Sequence, residues 1–227
     1  KKKKTEFKVP LVITSLHAPN QVVEKVHAYG GLVFHDVTTL RHAKKAIDAG
    51  VDGLILVCHG AGGHAGRLNP FAFVAEVRRF YDGPLVLAGA ISKGEQIVAA
   101  QALGVDLVYM GTRFIATQEA NAQAAYKRMV LDAAAGDIVY TNLFTGVYGN
   151  YLRQSIEQAG LDPDALPEGD KTAMRYGSGG SSKAKAWRDI WGAGQGVGGI
   201  ASMRSVAEEV ATLRADYQKA LDQFRRL

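Results

Sequence analysis

Five short apolar runs, each followed by a helical segment, fill the first half of the chain. The runs are Val9–Leu16, Leu32–Val37, Val51–Val57, Pro84–Ala90 and Val105–Met110. They are almost wholly apolar rather than alternating, which is typical of parallel strands covered on both faces. The segments between the runs predict helices that begin near Asn20, Thr38 or Thr39, Asn69 and Ser92. Strands that alternate with helices in this way predict βαβ units and a parallel sheet.

This pattern fits either an open doubly wound sheet or a TIM-type (β/α)8 barrel. The even spacing of the runs favours the barrel, and so do the chemically rich residues that directly follow the strands, because barrels build their sites in those loops. Five runs cannot close an eight-stranded barrel. We therefore predict an α/β fold, a TIM-type (β/α)8 barrel of which about five βα units are present, together with a smaller helical domain. We also expect that an N-terminal portion of the natural chain lies outside this sequence.

The second half of the chain is predicted to be mainly helical. Helices are expected at Asn121–Ala135, Tyr151–Ala159 and Ser205–Arg226, whereas Asp137–Leu143 fits either a strand or an extended connection. The polar stretch Gly160–Ser182 is predicted to be an irregular surface excursion or a lid. The predicted domains are therefore a partial barrel at 1–116, a helical substrate-covering domain at 117–204, and a C-terminal helix at 205–227 that packs back on the barrel.

Composition excludes several classes of protein. The net charge is +5, but Lys1–Lys4 carry most of it and the remaining basic residues are interspersed with acidic ones, so nucleic acid is not the expected partner. The single cysteine, Cys58, cannot form an intramolecular disulfide or a cysteine-based zinc site, which predicts a cytoplasmic protein. No apolar run approaches the ~18 residues that cross a membrane. No metal site is expected.

The richest segment for chemistry is the loop Cys58–Gly66, which follows the third run. Its glycines, among them Gly62 and Gly63, let the backbone approach a flat or anionic ligand. A histidine among these glycines would be held near such a ligand, and the ordinary pKa of a histidine suits proton transfer at neutral pH. A flexible turn with two incidental histidines is the equally weighted alternative.

A second pair of strand ends predicts a phosphate site. Gly89 and Ala90 close the fourth run, and Gly111 and Thr112 follow the fifth. Barrels often bind phosphate between the loops of their last two strands, where backbone N–H groups point at the anion. Arg113 fits either phosphate binding or a structural ion pair, and these alternatives remain open from the sequence.

Other candidates are weaker. His35 and Asp36 sit at a strand end, where a satisfied core or rim residue is the more common situation, and His27 and His42 are expected on helix surfaces. Trp187 and Trp191 share a helix face and favour packing. The glycine run 192–198 could approach a ligand. Zinc proteolysis, NTP hydrolysis and nucleophile-elbow chemistry have no supporting motif.

Three segments together resemble a known family. They are GVDGLILVCHGAGGHAG at Gly50–Gly66, PLVLAGAI at Pro84–Ile91 and LVYMGTRFIAT at Leu107–Thr117. Their order and spacing resemble the FMN-dependent nitronate monooxygenases, formerly called 2-nitropropane dioxygenases, and DIWGAGQGVGGI at Asp189–Ile200 also fits. The similarity extends over nearly the whole chain from Val9 onward.

The resemblance implies a cofactor, a reaction and site residues. His64 would match the catalytic histidine, and the residues assigned to FMN would be Gly62, Gly63, Gly89, Ala90, Gly111, Thr112 and Gln195. The implied reaction is the oxidation of alkyl nitronates by dioxygen to carbonyl compounds and nitrite, with His64 removing the α-proton of a neutral nitroalkane or hydrogen-bonding the nitro group. A homodimer is a further expectation. This sequence departs from the family at Ala90, where a second glycine is frequent, and at Asp36, where some members have lysine.

Three other functions compete with this one. The first is a flavin-dependent NAD(P)H:quinone or enoyl-thioester reductase on the same fold, since those enzymes carry similar motifs. The second is a flavin-free (β/α)8 lyase or isomerase that acts on a phosphorylated metabolite. The third is a fragment that binds nothing, whose unpaired sheet edges would favour aggregation or pairing with another chain.

Overall fold

The computed structural model describes residues 7–169 and 188–226. The chain forms two compact units. The first unit contains the residues up to Cys58 together with Arg67–Ala88 and Ala100–Tyr109. The second contains His59–Gly66, Gly89–Ala99 and the residues from Met110 onward. The loops that follow the third and fourth predicted strands thus belong to the second unit.

The first unit is built on a five-stranded, wholly parallel sheet. The strands are β1 (Leu11–Thr14), β2 (Leu32–Val37), β3 (Gly53–Val57), β5 (Leu85–Ala88) and β6 (Leu107–Tyr109). They lie in the order β1-β2-β3-β5-β6, so every predicted strand pairs with its neighbour in sequence. A parallel sheet covered by helices in this order is a partial (β/α) barrel, as predicted.

The helices of the first unit begin where side chains can accept the unpaired N–H groups of the first turn. These helices are α1 (Asn20–His27), α2 (Leu40–Asp48) and α3 (Pro70–Val77). Thr39 accepts from His42 N, and Asn69 accepts from Phe71 N. Helix α1 begins at the predicted Asn20, but the cap position before it is Pro19, and no side chain bonds to the first turn there. The helix α4 (Gly94–Ala102) follows β5.

The outer strands of this sheet expose large apolar side chains on one face. Leu11 pairs with Leu32 across β1 and β2, and both side chains are more than 40% exposed, at 43% and 48%. On β6, Leu107 and Tyr109 are 58% and 48% exposed. The middle strand β3 is buried along its whole length. Burial therefore decreases from the centre of the sheet to its edges.

The second unit contains a sheet as well as helices, whereas the sequence predicted helices there. Its strands are β4 (Gly63–His64), β7 (Ile138–Thr141) and β8 (Gly149–Leu152), which pair antiparallel in the order β4-β8-β7. Asp137–Leu143, which fitted a strand or a connection, therefore contributes a strand. The helix predicted from Tyr151 begins only at Arg153, because β8 occupies the preceding residues.

The helices of this unit are short, except for the C-terminal helix. They are α5 (Thr112–Ile115), α6 (Ala124–Asp132), α7 (Arg153–Gln158) and α8 (Val206–Phe224), with 3-10 turns at Ala135–Asp137 and Gln195–Gly199. Ser205 and Glu208 form a capping box that starts α8.

Within the stretch predicted as a surface excursion, residues 161–169 have no helix or strand, and residues 170–182 lie outside the described residues. Trp187 lies outside them too, so the predicted tryptophan pair is not described, although Trp191 is buried, stacked on Tyr126. The predicted domain boundaries stay a prediction.

Candidate functional site

One backbone carbonyl, that of Gly60, joins three loops of the second unit. It accepts a hydrogen bond from Ala90 N at 3.3 Å and another from Gln195 N at 2.9 Å. The Gln195 side chain also packs over this glycine, since a Cβ built on Gly60 would lie 2.9 Å from Gln195 Oε1. The φ of Gly60 is +90°, which favours glycine. The loop at residues 59–66 is therefore fixed to the loop at Ala90 and to the glycine run.

A second contact brings the last predicted phosphate loop into the same cluster. Gly194 N donates to Thr112 Oγ1 at 2.9 Å. Gly62 lies against both residues, because a Cβ placed on it would be 2.8 Å from Gly194 N and 2.9 Å from Thr112 Oγ1. Only glycine leaves the required space here. Four of the predicted site residues, Gly62, Ala90, Thr112 and Gln195, thus belong to one connected set of loops.

The backbone next to these contacts has the form expected around an anion. Gly89 and Ala90 have φ angles of +136° and +56°, in the region that side chains other than glycine rarely occupy. Gly111 is exposed, and a Cβ added to it would meet nothing within 4 Å. Thr112 Oγ1 accepts from Gly194 N, and among the described residues no acceptor is seen for the hydroxyl hydrogen. Of these residues, Gly111 therefore has open space beside its backbone, whereas the half-buried Thr112 hydroxyl packs against Gly194.

Strand pairing places His64 beside this cluster. In the register of β4 and β8, Gly63 pairs with Asn150 and His64 with Gly149. The buried Asn150 side chain donates from Nδ2 to Ala61 O at 2.7 Å, which ties β8 to the glycine loop. Burial of the half-buried imidazole lowers the pKa of His64 below its ordinary value, so the ring is neutral at pH 7. A neutral imidazole in this position can accept a proton.

The His64 ring is held by a threonine that sequence reasoning missed. His64 Nε2 lies 3.0 Å from Thr145 Oγ1, across 81 residues of sequence. Thr145 is only 4% exposed. No local pattern indicated this residue, because it becomes a neighbour of His64 only through the β4–β8 pairing.

Arg113 forms the structural ion pair that was one of its two predicted alternatives. Its Nε and Nη2 bond to the two carboxylate oxygens of Glu209 on α8. Both side chains are buried, at 4% and 2% exposure. The arginine is therefore committed to the second unit's interior rather than to a phosphate.

The weaker histidine and aspartate candidates belong to the first unit. His35 is buried and its Nδ1 lies 2.7 Å from Thr14 Oγ1, while burial and the nearby His42 lower its pKa. The carboxyl of Asp36 hydrogen-bonds to Ser15, and burial raises the pKa of Asp36 to about 6. His27 Nε2 pairs with Asp52 Oδ2 at 2.8 Å. As expected for such residues, these side chains have structural partners.

The cluster in the second unit fits a phosphate-bearing cofactor such as FMN. Gly111 is open, Ala90 has a left-handed backbone, and the Thr112 hydroxyl can donate, which are the features of a backbone anion site. Gly62 and Gly63 keep the adjoining backbone free of side chains, so that a flat ring could approach it. The Ala90 N–H is already bonded to Gly60 O, so the Gly111 backbone and the Thr112 hydroxyl are the groups of this cluster that could contact such an anion.

The chain belongs to the nitronate monooxygenase family, whose family model matches residues 2–216. It is 29% identical over 220 residues to the nitronate monooxygenase of Paraburkholderia phytofirmans, covering 90% of this chain and 59% of that protein. It is 27% identical over 227 residues to the enzyme of the same name from Neurospora crassa, with the same coverage of 90% and 59%. The chain thus spans well under two thirds of these relatives.

A protein named for a different activity is also similar to this chain. The chain is 32% identical over 148 residues to (3aS,4S,5R,7aS)-5-hydroxy-7a-methyl-1-oxo-octahydro-1H-indene-4-carboxyl-CoA dehydrogenase of Rhodococcus jostii, covering 63% of this chain and 42% of that protein. Proteins similar to this chain therefore carry the names of more than one oxidoreductase activity.

Solved structures share this fold. Nitroalkane oxidase from Streptomyces ansochromogenes superposes with a TM-score of 0.76 at 28% identity, covering 97% of this chain and 67% of that one. FabK from Thermotoga maritima gives a TM-score of 0.77 at 24% identity, covering 99% and 73%. Within residues 7–169 and 188–226, no helix is long and apolar enough to cross a membrane.

Proposed function

We propose that the second unit binds FMN and that the protein oxidises alkyl nitronates with dioxygen, giving carbonyl compounds and nitrite. The observation that carries the proposal is the convergence of Gly62, Ala90, Thr112 and Gln195 through the Gly60 carbonyl and the Gly194 amide. FMN, when bound, supplies the one-electron redox chemistry. Family membership and the likeness to nitroalkane oxidase support the same class of reaction.

The residues of this chain would divide the work of binding and proton transfer. The backbone at Gly89, Ala90 and Gly111 and the hydroxyl of Thr112 would hold the phosphate. Gly62 and Gly63 would lie against the ring, and Gln195 would keep the Gly60 loop in place for it. All of these residues would therefore bind or position the cofactor, and none of them would react with the substrate.

His64 would act on the substrate. As a neutral imidazole it would remove the α-proton of a nitroalkane, or donate a hydrogen bond to the nitro oxygens of the nitronate. A base must be unprotonated before it can remove a proton, and the lowered pKa of His64 favours that neutral form of the ring. Alkyl nitronate and dioxygen are the proposed substrates.

The test has two parts, an absorbance spectrum of the purified protein and a nitrite assay. Flavin bands, FMN released on denaturation and nitrite produced from an alkyl nitronate in air are the expected results. A colourless protein that takes up no added FMN would contradict the proposal and favour a flavin-free lyase or isomerase.

A second candidate function is a flavin-dependent reductase or dehydrogenase of thioester or quinone substrates. The similarity to the Rhodococcus jostii CoA dehydrogenase favours it. Anaerobic mixing with NADH or NADPH separates the two candidates. Rapid bleaching of the flavin supports the reductase, whereas an unchanged spectrum with NAD(P)H supports the nitronate oxidation.

A further inference from the structure

Asn150 holds the two residues that flank Gly62. Its backbone pairs with Gly63 in the register of β4 and β8, and its side chain donates from Nδ2 to Ala61 O at 2.7 Å. The asparagine is 1% exposed, so water does not compete for the bond to Ala61. Gly62 lies between these two contacts, and a shift of its backbone would disturb at least one of them.

The place of Gly62 sets the shape of the candidate site. A Cβ added to this glycine would lie 2.8 Å from Gly194 N and 2.9 Å from Thr112 Oγ1. Those two atoms bond to each other at 2.9 Å, which joins the glycine run to the loop at Thr112. Asn150 therefore determines how the Gly62 backbone meets the contact on which the other two loops depend.

The direction of the bond between Asn150 and Ala61 follows from the chemistry of the two groups. A carbonyl oxygen can only accept, so the amide presents its NH2 to Ala61. Asn150→Asp keeps the shape of the side chain, but an ionised carboxylate has no hydrogen to donate to that oxygen. Protonation of the carboxyl restores a donor, and burial raises the pKa of such a group. The bond would therefore return as the pH falls.

We infer that Asn150 is a positioning residue of the candidate cofactor site, which holds the Gly62 backbone in the place where FMN would meet it. The effect on FMN rests on the proposed function, whereas the hold on Ala61 and Gly63 is a property of the flavin-free protein. Removal of the amide leaves the bond between Thr112 and Gly194 in place. FMN affinity then falls because the glycine loop is released.

The first readout is amide hydrogen exchange of the flavin-free protein, followed by mass spectrometry of the peptide that contains residues 61–65. We expect its amides to exchange about tenfold or more faster in Asn150→Ala than in the wild type, because a buried carbonyl loses its donor and the loop opens more often. Unchanged exchange in Asn150→Ala would overturn the inference.

Asn142 provides the matched control for this measurement. It is also 1% exposed, and its side chain bonds to the backbone of Gly169, with Nδ2 donating to O at 3.3 Å and Oδ1 accepting from N at 2.9 Å. Asn142→Ala thus removes an equally buried amide from another loop, and residues 61–65 should keep wild-type exchange. Equal acceleration in the two variants would show general loosening of the second unit and would overturn the specific role of Asn150.

The second readout is the FMN dissociation constant of Asn150→Asp, measured by flavin fluorescence and divided by the wild-type value at the same pH. This ratio removes the titration of the flavin phosphate and of other groups that both proteins share. We expect a ratio of about ten or more at about pH 8, where the carboxyl is ionised, and a ratio below about three at about pH 5.5, where it donates again. A residue that only fills space would not produce this pH dependence.

Each outcome of the titration decides one of the two claims. A ratio that is the same at both pH values would overturn the positioning role of Asn150. A wild type that binds no FMN would overturn the proposed function instead, and the exchange measurement would still decide whether Asn150 holds the glycine loop.

Discussion

Arg113 and Glu209 form a two-point ion pair in the interior of the second unit, although 96 residues separate them in the sequence. Arg204 adds a second cation at 3.9 Å from the same carboxylate. The pair connects the segment that follows the Gly111–Thr112 loop to the C-terminal helix α8. Because Glu209 is 2% exposed, its charge depends on these arginines rather than on water.

Breaking this pair should destabilise the protein strongly. Glu209→Gln leaves a buried guanidinium without a carboxylate, and such a change costs about 3–5 kcal/mol of unfolding free energy. Urea denaturation of the flavin-free protein measures the effect. The double change Arg113→Met with Glu209→Leu should recover most of the loss, since both charges are then gone. If Glu209→Gln unfolds at the wild-type urea concentration, the pair contributes nothing to stability.

Gly62→Ala tests the closest contact of the candidate site. The added Cβ would come within 3 Å of Gly194 N and Thr112 Oγ1, so the loops must separate. We expect a loss of about 1–3 kcal/mol in stability from the forced shift. The FMN dissociation constant, from flavin fluorescence, should rise by about tenfold or more, which corresponds to ~1.4 kcal/mol. Gly136→Ala is the matched control, because that exposed glycine has nothing within 4 Å of an added Cβ. Equal behaviour of the two variants would contradict the close packing.

Gly111→Ala separates a clash with the protein from a clash with a ligand. The new Cβ meets no protein atom within 4 Å, and the φ of −113° suits alanine. Thermal stability without flavin should stay within about 0.5 kcal/mol of the wild type. FMN affinity should fall if the phosphate lies against this backbone, as proposed. Unchanged affinity, measured by the same fluorescence titration, would remove Gly111 from the phosphate site.

His64→Asn should discriminate between the two forms of the substrate. We expect kcat/KM for the neutral nitroalkane to drop by about 10²–10⁴, the range of a lost general base, while the preformed nitronate keeps most of its rate. His59→Asn is the control, because this exposed histidine lies in the same loop with its ring 5.9 Å from that of Tyr140. Full activity of His64→Asn on both forms would take away the assigned role.

Asp36 should make stability fall as the pH rises. Its pKa is raised from 3.8 to about 6 by burial, and one of its oxygens, Oδ1, is buried without a hydrogen-bond partner among the described residues. The folded state therefore binds more protons than the unfolded state between about pH 4 and pH 6, and stability is lost as the pH increases through this window.

Asp36→Asn should remove that loss. A gain of up to about 3 kcal/mol is expected at pH 7.5, and no gain at pH 3.5, where the carboxyl is protonated in both states. Urea denaturation at the two pH values measures the difference. Asp48→Asn removes the same charge from an exposed position and controls for net charge. A gain that is equal at both pH values would contradict the titration of Asp36.

The parallel sheet could be predicted because its information is local. Each strand is a short apolar run, and helix α3 starts where it was predicted, at Asn69, whose side chain accepts from Phe71 N. The runs pair in sequence order, so knowing the strands was enough to predict their neighbours. Of the candidate site, the glycine loop and the loops at Gly89–Ala90 and Gly111–Thr112 could be selected, since their residues follow directly after those strands.

The parts that were missed depend on partners far away in the chain. Strand β4 has only two residues, one of them glycine, and exists because β8 pairs with it about 85 positions later. Thr145 and Glu209 are ordinary residues in sequence, and each gains its role from one contact, with His64 and Arg113 respectively. Neither apolar periodicity nor turn chemistry records such contacts.

The two residues that donate to the Gly60 carbonyl are synthesised at different times. One of its two donors, Ala90, lies 30 residues later, but the other, Gln195, lies 135 residues later. A chain growing from the ribosome can therefore complete its parallel strands well before the glycine loop has acquired its last restraint. If the second unit binds FMN as proposed, a chain that ends before Gln195 would lack this restraint on the glycine loop, and it should bind FMN more weakly than the full chain.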